Sequence, residues 1–349
     1  MFGGEAIGKV QAPARLVDAL LREAGVAGSW SYRGVASAGR VNTTTAIETG
    51  SGRWFAVRVY GWPFGGEPRF DRRAKEVAWS TRLAAAGVPV ARFLAVADVD
   101  AETDAEIDVE GAPASPAPPV SGALVEWIDG ELLGTVAARE PREDLTDAWR
   151  GAGAALRTAH GVDPGVVGEG FLSADGLVAF DEGTFAAWIV HRTAAHARRL
   201  HGTGDGVLDP ARVEALAPAL EARLGRAPSG LGHGDSNPWN ALIARDGTGG
   251  WAFRAWLDWE FAWVADPAYD HVRASVQRYA DIGPTPDSWW EGYGGRPEPV
   301  AFAAHTIHYA LWKAEERLDG LDSPETRLAA RLLPSLPARL DRLAAALAS

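Results

Sequence analysis

Cysteine is absent from this chain of 349 residues, and methionine occurs once. The absence of cysteine excludes disulfides, a thiolate nucleophile and cysteine-ligated zinc. No run of about 18 uncharged apolar residues is present, so the sequence predicts no membrane-spanning helix. Residues 1–5 lack the basic flank and apolar core of a secretory signal. We therefore expect a cytoplasmic protein with no membrane partner.

Basic residues are outnumbered: the chain has 34 Lys and Arg against 46 Asp and Glu, a net charge of −12. An acidic surface repels nucleic acid, so we expect no nucleic-acid partner. With 47% apolar and 23% charged residues, the composition is that of an ordinary globular protein. The length exceeds what one small core needs, so we expect two lobes, in a monomer or a dimer.

One segment, residues 231–243, carries the clearest chemistry. Its sequence is Leu-Gly-His-Gly-Asp-Ser-Asn-Pro-Trp-Asn-Ala-Leu-Ile. The glycines and the proline exclude a helix and predict a tight loop that enters a short strand. After a glycine-rich turn, a second strand over 251–257 ends at Asp258. A hairpin is therefore expected to bring Asp235, Asn240 and Asp258 to one end.

These three side chains suit phosphoryl transfer. Asp235 can accept the proton of an attacking hydroxyl, and the oxygens of Asn240 and Asp258 are hard ligands for Mg²⁺. The spacing Asp-x-x-x-x-Asn is that of the protein-kinase catalytic loop. Each residue alone is equally explained as a turn or cap residue, so only the combination favours a kinase. For His233, packing within the loop is the simpler explanation.

The sequence has His-Gly-Asp at 233–235, Asp-Trp-Glu at 258–260 and Asp-Pro-Ala-Tyr-Asp at 266–270. With these motifs the chain resembles the aminoglycoside phosphotransferase and choline kinase-like superfamily of small-molecule kinases. The resemblance implies an α+β, bilobal protein-kinase-like fold. Residues 1–127 are expected to form an N-terminal nucleotide-binding lobe with an antiparallel sheet and an exposed insertion at 98–120. Residues 128–349 are expected to form a mostly helical catalytic and substrate-binding lobe.

The N-terminal part has the pattern of a strand-rich lobe. Apolar spacing predicts helices over 12–24 and 70–86 and strands over 30–35, 41–49, 53–60 and 90–97. A turn of small residues at 36–39 falls where kinases place a glycine-rich loop over the phosphates. Ser37 and Asn42 are therefore candidates for nucleotide binding, although an ordinary hairpin turn explains this segment equally well.

Arg58 lies inside an otherwise apolar strand. As a solvent-facing residue of a one-sided sheet it would have no special role. The resemblance instead implies a cation that contacts the nucleotide phosphates, for which Arg is well shaped, and that pairs with Glu76 on the next helix. A solvated helix charge is the alternative for Glu76. The strand over 123–130 resembles the superfamily's hinge, which implies adenine contacts from the main chain of residues 126–128, namely Glu126, Trp127 and Ile128.

The C-terminal part is predicted to be mostly helical, with helices over 142–159, 181–201, 209–224, 266–279, 288–293, 300–317 and 323–348. Asp181 and Asp209 are the expected N-caps of two of them. By the resemblance, Asp266 braces the catalytic loop, and His233 supports it. Candidates for contact with a cationic substrate are Trp239, Glu260, Asp287, Glu291, Glu315 and Glu316. For the acidic residues of the last helices, solvated charges are the simpler explanation.

The implied activity is transfer of the γ-phosphoryl group of ATP or GTP to a hydroxyl of a small molecule, with Mg²⁺ as cofactor. The first acceptor we consider is a cationic, aminoglycoside-like antibiotic, which would mean resistance by O-phosphorylation. The alternatives are a metabolic kinase of a sugar, an amino alcohol or a similar metabolite, and a nucleotide-binding pseudokinase. A further alternative is a metal-dependent hydrolase with His233, Asp235 and Asp258 as ligands.

Overall fold

The structure is a computed structural model. It describes residues 11–38, 42–60, 71–100, 119–202, 208–276, 282–321 and 324–348. The chain divides into two compact units, one of Met1–Thr81 and Ala91–Ile128 and one of Arg82–Val90 and Asp129–Ser349. A sheet dominates the first unit and helices the second, which confirms the predicted fold class. The assignment of nucleotide binding to the first unit stays a prediction.

The first unit is built on one antiparallel sheet of five strands in the order β1-β2-β3-β5-β4. Its elements are α1 (Ala14–Glu23), β1 (Trp30–Ala38), β2 (Asn42–Thr49), β3 (Trp54–Tyr60), α2 (Arg72–Ala85), β4 (Phe93–Val99) and β5 (Val120–Glu126). The apolar face of α1 explains its docking: Leu16 and Leu20 are fully buried and pack with Ile47, Phe55 and Leu124 of the sheet. Removal of these apolar side chains from water is the main favourable contribution to the docking of α1 on the sheet.

Two predicted segments of this unit need correction. The turn expected at 36–39 is strand as far as Ala38, because Ser37 and Ala38 pair with Thr44 and Thr43 of β2. The insertion expected at 98–120 is shorter, since Asp98, Val99 and Val120 belong to β4 and β5. Both strands are extended by pairing with each other: Val99 is opposite Val120 in the antiparallel ladder. Residues 39–41 and 101–118 lie outside the described part of the chain.

The second unit combines short strands with long helices. Its elements are β6 (Glu131–Leu132), α3 (Leu133–Ala137), α4 (Thr146–His160), β7 (Gly170–Leu172), β8 (Leu177–Ala179), α5 (Phe185–Gly202), α6 (Pro210–Leu224), β9 (Gly230–Gly232), β10 (Ala241–Arg245), β11 (Trp251–Trp256), β12 (Trp263–Ala265), α7 (Ala268–Val276), α8 (Asp287–Tyr293), α9 (Pro299–Leu318), α10 (Pro324–Leu332) and α11 (Leu336–Ala348).

Two small sheets hold the segment from 231 to 243. The predicted hairpin forms from β10 and β11, and β6 pairs with the other side of β10. The strand that leads into the loop, β9, pairs with β12 in a second sheet of order β8-β7-β12-β9. The apolar faces of α5, α6, α9 and α11 pack together in the main core. Both ends of the loop are therefore held by strand pairing, on one side with β12 and on the other with β6 and β11.

Helix boundaries in this unit differ from the predictions in two places. The helix expected to start at Asp181 begins at Phe185. Thr184 provides the cap, because its Oγ1 accepts a hydrogen bond from the Ala187 amide at 3.1 Å. The helix expected over 323–348 is divided by a 3₁₀ turn at Leu333–Ser335, where Pro334 cannot donate a backbone hydrogen bond. Asp209 is the N-cap of α6, as predicted.

Within the described residues, no helix is long and apolar enough to cross a membrane.

Candidate active site

The loop between β9 and β10 has a backbone conformation that requires glycine at position 234. Gly234 has φ +76°, and a Cβ there would lie 2.3 Å from the carbonyl oxygen of Phe261, so only glycine fits. Asn237 caps the following 3₁₀ turn, Pro238–Asn240, by accepting a hydrogen bond from the Trp239 amide at 2.9 Å. The loop is thus fixed locally before it enters β10.

The carboxylate of Asp235 is held by three side chains. Asn237 donates its amide Nδ2 to Oδ1 at 3.0 Å, and Asn240 donates its Nδ2 to Oδ2 at 3.1 Å. The guanidinium of Arg273, in α7, also donates to Oδ1. Sequence reasoning missed Arg273; the available signal was an arginine in the short, mostly apolar α7, three residues after Asp270.

A second carboxylate, that of Asp270, fixes the loop backbone. It is fully buried and accepts hydrogen bonds from the amides of His233, at 2.6 Å, and Gly234, at 2.9 Å. Burial alone would raise the pKa of Asp270, but the hydrogen bond and charge of His160 outweigh it and hold the pKa below its ordinary value. Asp270 is therefore a buried anion aimed at the catalytic loop.

This finding corrects the role predicted for Asp266. Its carboxylate accepts hydrogen bonds from the Ala268 amide, at 2.9 Å, and from His305 Nε2, also at 2.9 Å, and neither group belongs to the loop. The helix start turns Asp266 toward α9, whereas Asp270, one turn further along α7, reaches the loop. Within the described residues, Asp270 is the carboxylate of this motif that braces the loop.

His233 is buried completely and supports the loop, as predicted. The Asp235 amide donates to its Nδ1 at 3.2 Å, so the ring proton resides on Nε2, which donates to the Leu257 carbonyl at 2.9 Å. Burial lowers the pKa of His233, so the ring is neutral. With both nitrogens engaged, His233 has no lone pair for a metal ion, and the hydrolase alternative loses one of its three ligands.

Asn240 and Asp258 have the features of oxygen ligands. The Nδ2 of Asn240 donates to Asp235, and within the described residues its Oδ1 accepts no hydrogen bond. Asp258 has φ +67° and ψ +60°, and it is the non-glycine residue with positive φ in the described part of the chain. Such a conformation is uncommon and is often found at functional sites. Carboxylate oxygens of Asp258 and of the buried Glu260 lie within 4.8 Å of each other.

Trp239, predicted to contact substrate, has a packing role within the second unit. A Cβ at Gly134 of α3 would lie 2.4 Å from Cδ2 of the Trp239 ring, so the indole lies directly on the backbone of this helix. Glycine at 134 is what allows a large aromatic residue inside the catalytic loop.

Four acidic residues of the last helices that were predicted for a cationic substrate are paired with basic residues of the chain itself. Their contacts are Asp287 with Arg296 at 2.7 Å, Glu291 with Arg150 at 3.1 Å, Glu315 with Arg199 and His196 at 2.5 Å, and Glu316 with Lys313 at 2.9 Å. These are surface or half-buried ion pairs, which are the ordinary use of helix charges. The structure therefore gives these acidic residues partners other than a substrate.

The first unit contains the predicted ion pair. Arg58 Nε lies 3.0 Å from Glu76 Oε2, and both side chains are largely buried. Tyr60 donates its hydroxyl to the same Glu76 oxygen at 2.6 Å. Arg58 is on the central strand β3, so it is not a residue of an exposed edge. The contact of this cation with a nucleotide stays a prediction.

Other predicted nucleotide contacts in the first unit are only partly described. Asn42 is buried at the start of β2, and the backbone of Ser37 pairs with Thr44. At the predicted hinge, the Glu126 amide already donates to the Arg92 carbonyl at 2.9 Å, and its side chain pairs with Arg92. The Trp127 ring packs against Trp54 at 5.4 Å. Main-chain recognition of a base would therefore need the Glu126 carbonyl and the groups of 127 and 128.

Comparison with solved structures defines the class of protein first. The structure of Plasmodium vivax ethanolamine kinase Pv091845 has a TM-score of 0.55 at 14% identity, covering 95% of this chain and 92% of that one. The GDP complex of aminoglycoside 2'-phosphotransferase-IIIa has a TM-score of 0.55 at 15% identity, covering 94% and 99%. The streptomycin-ATP-APH(2")-IIa complex has a TM-score of 0.53 at 10% identity, covering 93% and 96%. The fold is that of protein-kinase-like phosphotransferases.

The family follows from the sequence. The profile of the phosphotransferase enzyme family, APH, matches residues 34–305, more than half of the chain. The chain belongs to this phosphotransferase family, and the superfamily predicted from the motifs is confirmed. No curated protein matches the chain.

Proposed function

We propose that the protein transfers the γ-phosphoryl group of ATP or GTP to a hydroxyl group of a small molecule, with Mg²⁺ as cofactor. The observation that carries this proposal is the constellation on one loop. Asp235 is held by the amide nitrogen of Asn240, and the oxygen of that same amide is left for another ligand. This is what a kinase needs, a fixed base next to a fixed metal ligand.

The residues present fit a magnesium ion. Mg²⁺ takes oxygen ligands, and Asn240 Oδ1 and the Asp258 carboxylate are the donors we assign to it. When bound, the ion neutralises charge on the nucleotide phosphates. Asp235 accepts the proton of the acceptor hydroxyl and orients its oxygen for attack. Because all of these groups are fixed before the reaction, positioning supplies much of the rate enhancement.

We assign to Arg58 the binding of the nucleotide phosphates. Glu76 pairs with Arg58, and Tyr60 donates a hydrogen bond to Glu76. Glu76→Gln removes the negative partner of Arg58, and Tyr60→Phe removes only one hydrogen bond. If the assignment is right, the Kd of Mg-ATP or Mg-GTP, measured by calorimetry, rises about tenfold for Glu76→Gln and less for Tyr60→Phe. Unchanged affinity in both variants would contradict this role for Arg58.

For the acceptor, an aminoglycoside-like compound is the first candidate, since aminoglycoside phosphotransferases are among the proteins with the same fold. An uncharged sugar or related metabolite is the second candidate, and one observation favours it. Asp287, Glu291 and Glu315, which were expected to bind a cation, are paired with the chain's own basic residues.

The test is release of ADP from Mg-ATP, or GDP from Mg-GTP, against aminoglycosides, other antibiotics with hydroxyl groups and common sugars. Asp235→Asn keeps the shape of the side chain and should lower turnover about 10³-fold with nucleotide binding retained. Asp246→Asn is the matched control, because Asp246 lies in the turn of the same hairpin and, among the described residues, its side chain accepts hydrogen bonds from Thr248 and Gly250 of that turn. Turnover that survives in Asp235→Asn would refute the base, and a chain that binds no nucleotide would refute the kinase.

A further inference from the structure

Arg273 is buried beside the reacting carboxylate. Its side chain is 8% exposed, and its guanidinium carbon lies 5.4 Å from the ring centroid of Tyr309 and 5.5 Å from that of Trp312. Burial lowers the pKa of Arg273, but the charge of Asp235 outweighs it, so the pKa lies above its ordinary value. Arg273 is therefore a permanent cation at a fixed place.

The hydrogen bonds around Asp235 leave one position open. An ionised carboxylate has about four acceptor positions, two on each oxygen. Arg273 and Asn237 fill both positions on Oδ1, and Asn240 fills one on Oδ2. Within the described residues, the remaining position is on Oδ2. A hydroxyl that gives its proton to Asp235 must approach this oxygen.

Stability alone does not account for Arg273. A buried ion pair contributes little net stability relative to an apolar pair of the same size. Here, moreover, Nε of Arg273 is buried and has no hydrogen-bond partner within the described residues. What the contact does supply is geometry, because a planar guanidinium that is packed by two aromatic rings allows one orientation of the carboxylate it bonds.

We propose that Arg273 is a positioning residue that orients Asp235 so that Oδ2 faces the acceptor hydroxyl. This inference rests on the proposed function. In the step it serves, the acceptor oxygen forms a bond to the γ-phosphorus as the bond to the departing nucleoside diphosphate breaks. The hydroxyl proton goes to Oδ2. Without Arg273, only the amides of Asn237 and Asn240 hold the carboxylate, and its plane can turn away from the orientation that points an oxygen at the acceptor hydroxyl.

The chain contains a matched comparison in Lys313. This side chain lies in the same aromatic cluster, 3.7 Å from the Trp312 ring centroid, and is equally buried. Its hydrogen bonds go to Glu316 at 2.9 and 3.0 Å, and none goes to Asp235. Lys313→Met therefore removes a buried cation from the cluster and leaves the hydrogen bonds of the Asp235 carboxylate in place.

The experiment compares Arg273→Ala, Arg273→Lys and Lys313→Met, with Mg-ATP or Mg-GTP and the acceptor that the panel identifies, or water if none does. For Arg273→Ala we expect kcat to fall about 100-fold with the nucleotide KM nearly unchanged. Arg273→Lys should recover part of the loss, and added guanidinium, below denaturing concentrations, should restore Arg273→Ala at least severalfold. Lys313→Met should lose stability and keep most of kcat.

A readout that needs no turnover separates this inference from the proposed function. The effects of Asp235→Asn and Arg273→Ala on the urea midpoint should be strongly non-additive, because each residue is the partner of the other. Additive effects, or a kcat loss in Lys313→Met equal to that in Arg273→Ala without guanidinium rescue, would overturn the role of Arg273. If the two substitutions have non-additive effects but the wild-type protein binds no nucleotide, the kinase proposal is overturned and the contact between Arg273 and Asp235 still stands.

Discussion

Asp270→Asn is the substitution that best tests how the loop is held. The carboxylate receives the His233 amide on Oδ2 and the Gly234 amide on Oδ1. An asparagine amide has one oxygen and one NH₂ group. In either orientation, the NH₂ therefore faces a backbone N–H that has no other acceptor in the described part of the chain. The substitution leaves a buried donor unsatisfied whichever way the side chain turns.

The size of the effect follows from these contacts. Loss of a hydrogen bond to a charged group, with its buried donor left unpaired, costs about 2–4 kcal/mol of unfolding free energy. The matched control is Asp266→Asn. There the NH₂ can donate to His305 Nε2, because the ring proton can move to Nδ1, which has no partner within the described residues. We expect a loss of about 1 kcal/mol for this control.

The assay is urea unfolding followed by tryptophan fluorescence, together with steady-state turnover. Asp270→Asn should lower kcat at least tenfold, because the backbone on both sides of Gly234 shifts and moves Asp235 with it. Asp266→Asn should change kcat little. Equal stability losses in the two variants, or equal kcat losses, would refute the conclusion that Asp270 rather than Asp266 holds the loop.

Three other predictions follow from particular residues. Gly134→Ala should lower stability by about 1–3 kcal/mol in urea unfolding, because its Cβ overlaps the Trp239 ring, whereas Gly202→Ala, at an open position in α5, should not. Asp258→Ala should have a lower melting temperature than Asp258→Asn, corresponding to an unfolding free energy lower by about 1 kcal/mol, since asparagine tolerates the left-handed backbone. Burial lowers the pKa of His271 to about 3, so the unfolded chain takes up this proton first. His271 alone should therefore remove about 1.4 kcal/mol of unfolding free energy per pH unit as the pH falls from 6.5 to about 3, and the difference in stability between the wild type and His271→Gln should show this slope.

Local patterns in the sequence were enough to predict the hairpin of β10 and β11, whereas the fold class and the pair of Arg58 with Glu76 were predicted from the family resemblance. Turn residues and strand periodicity act over a few neighbours, and the hairpin is such a short-range structure. The motif 266–270 was also recognised, but the bracing role was assigned to Asp266, whereas Asp270 makes the hydrogen bonds to the loop. Spacing gives the separation of Asp266 and Asp270 along the chain. It does not give the direction in which the first turn of α7 presents each of them.

Contacts between distant parts of the chain were not predictable in the same way. Arg273 reaches Asp235 across 38 residues, and Glu291 reaches Arg150 across 141. Helix charges that pair over such distances look the same in a sequence as charges that face solvent. The large Trp239 was interpreted as part of a substrate pocket, because nothing in the sequence links it to the glycine at 134.

The buried anion of Asp270 has a consequence for how this protein can diversify. The loop that carries Asp235 is ordered by bonds to the protein's own interior, and no acceptor molecule is needed to complete it. Residues that recognise the acceptor can therefore change over generations without altering the position of the base. Under the proposed function, the fold sets the position of the reacting carboxylate, and a change of acceptor does not require that carboxylate to move.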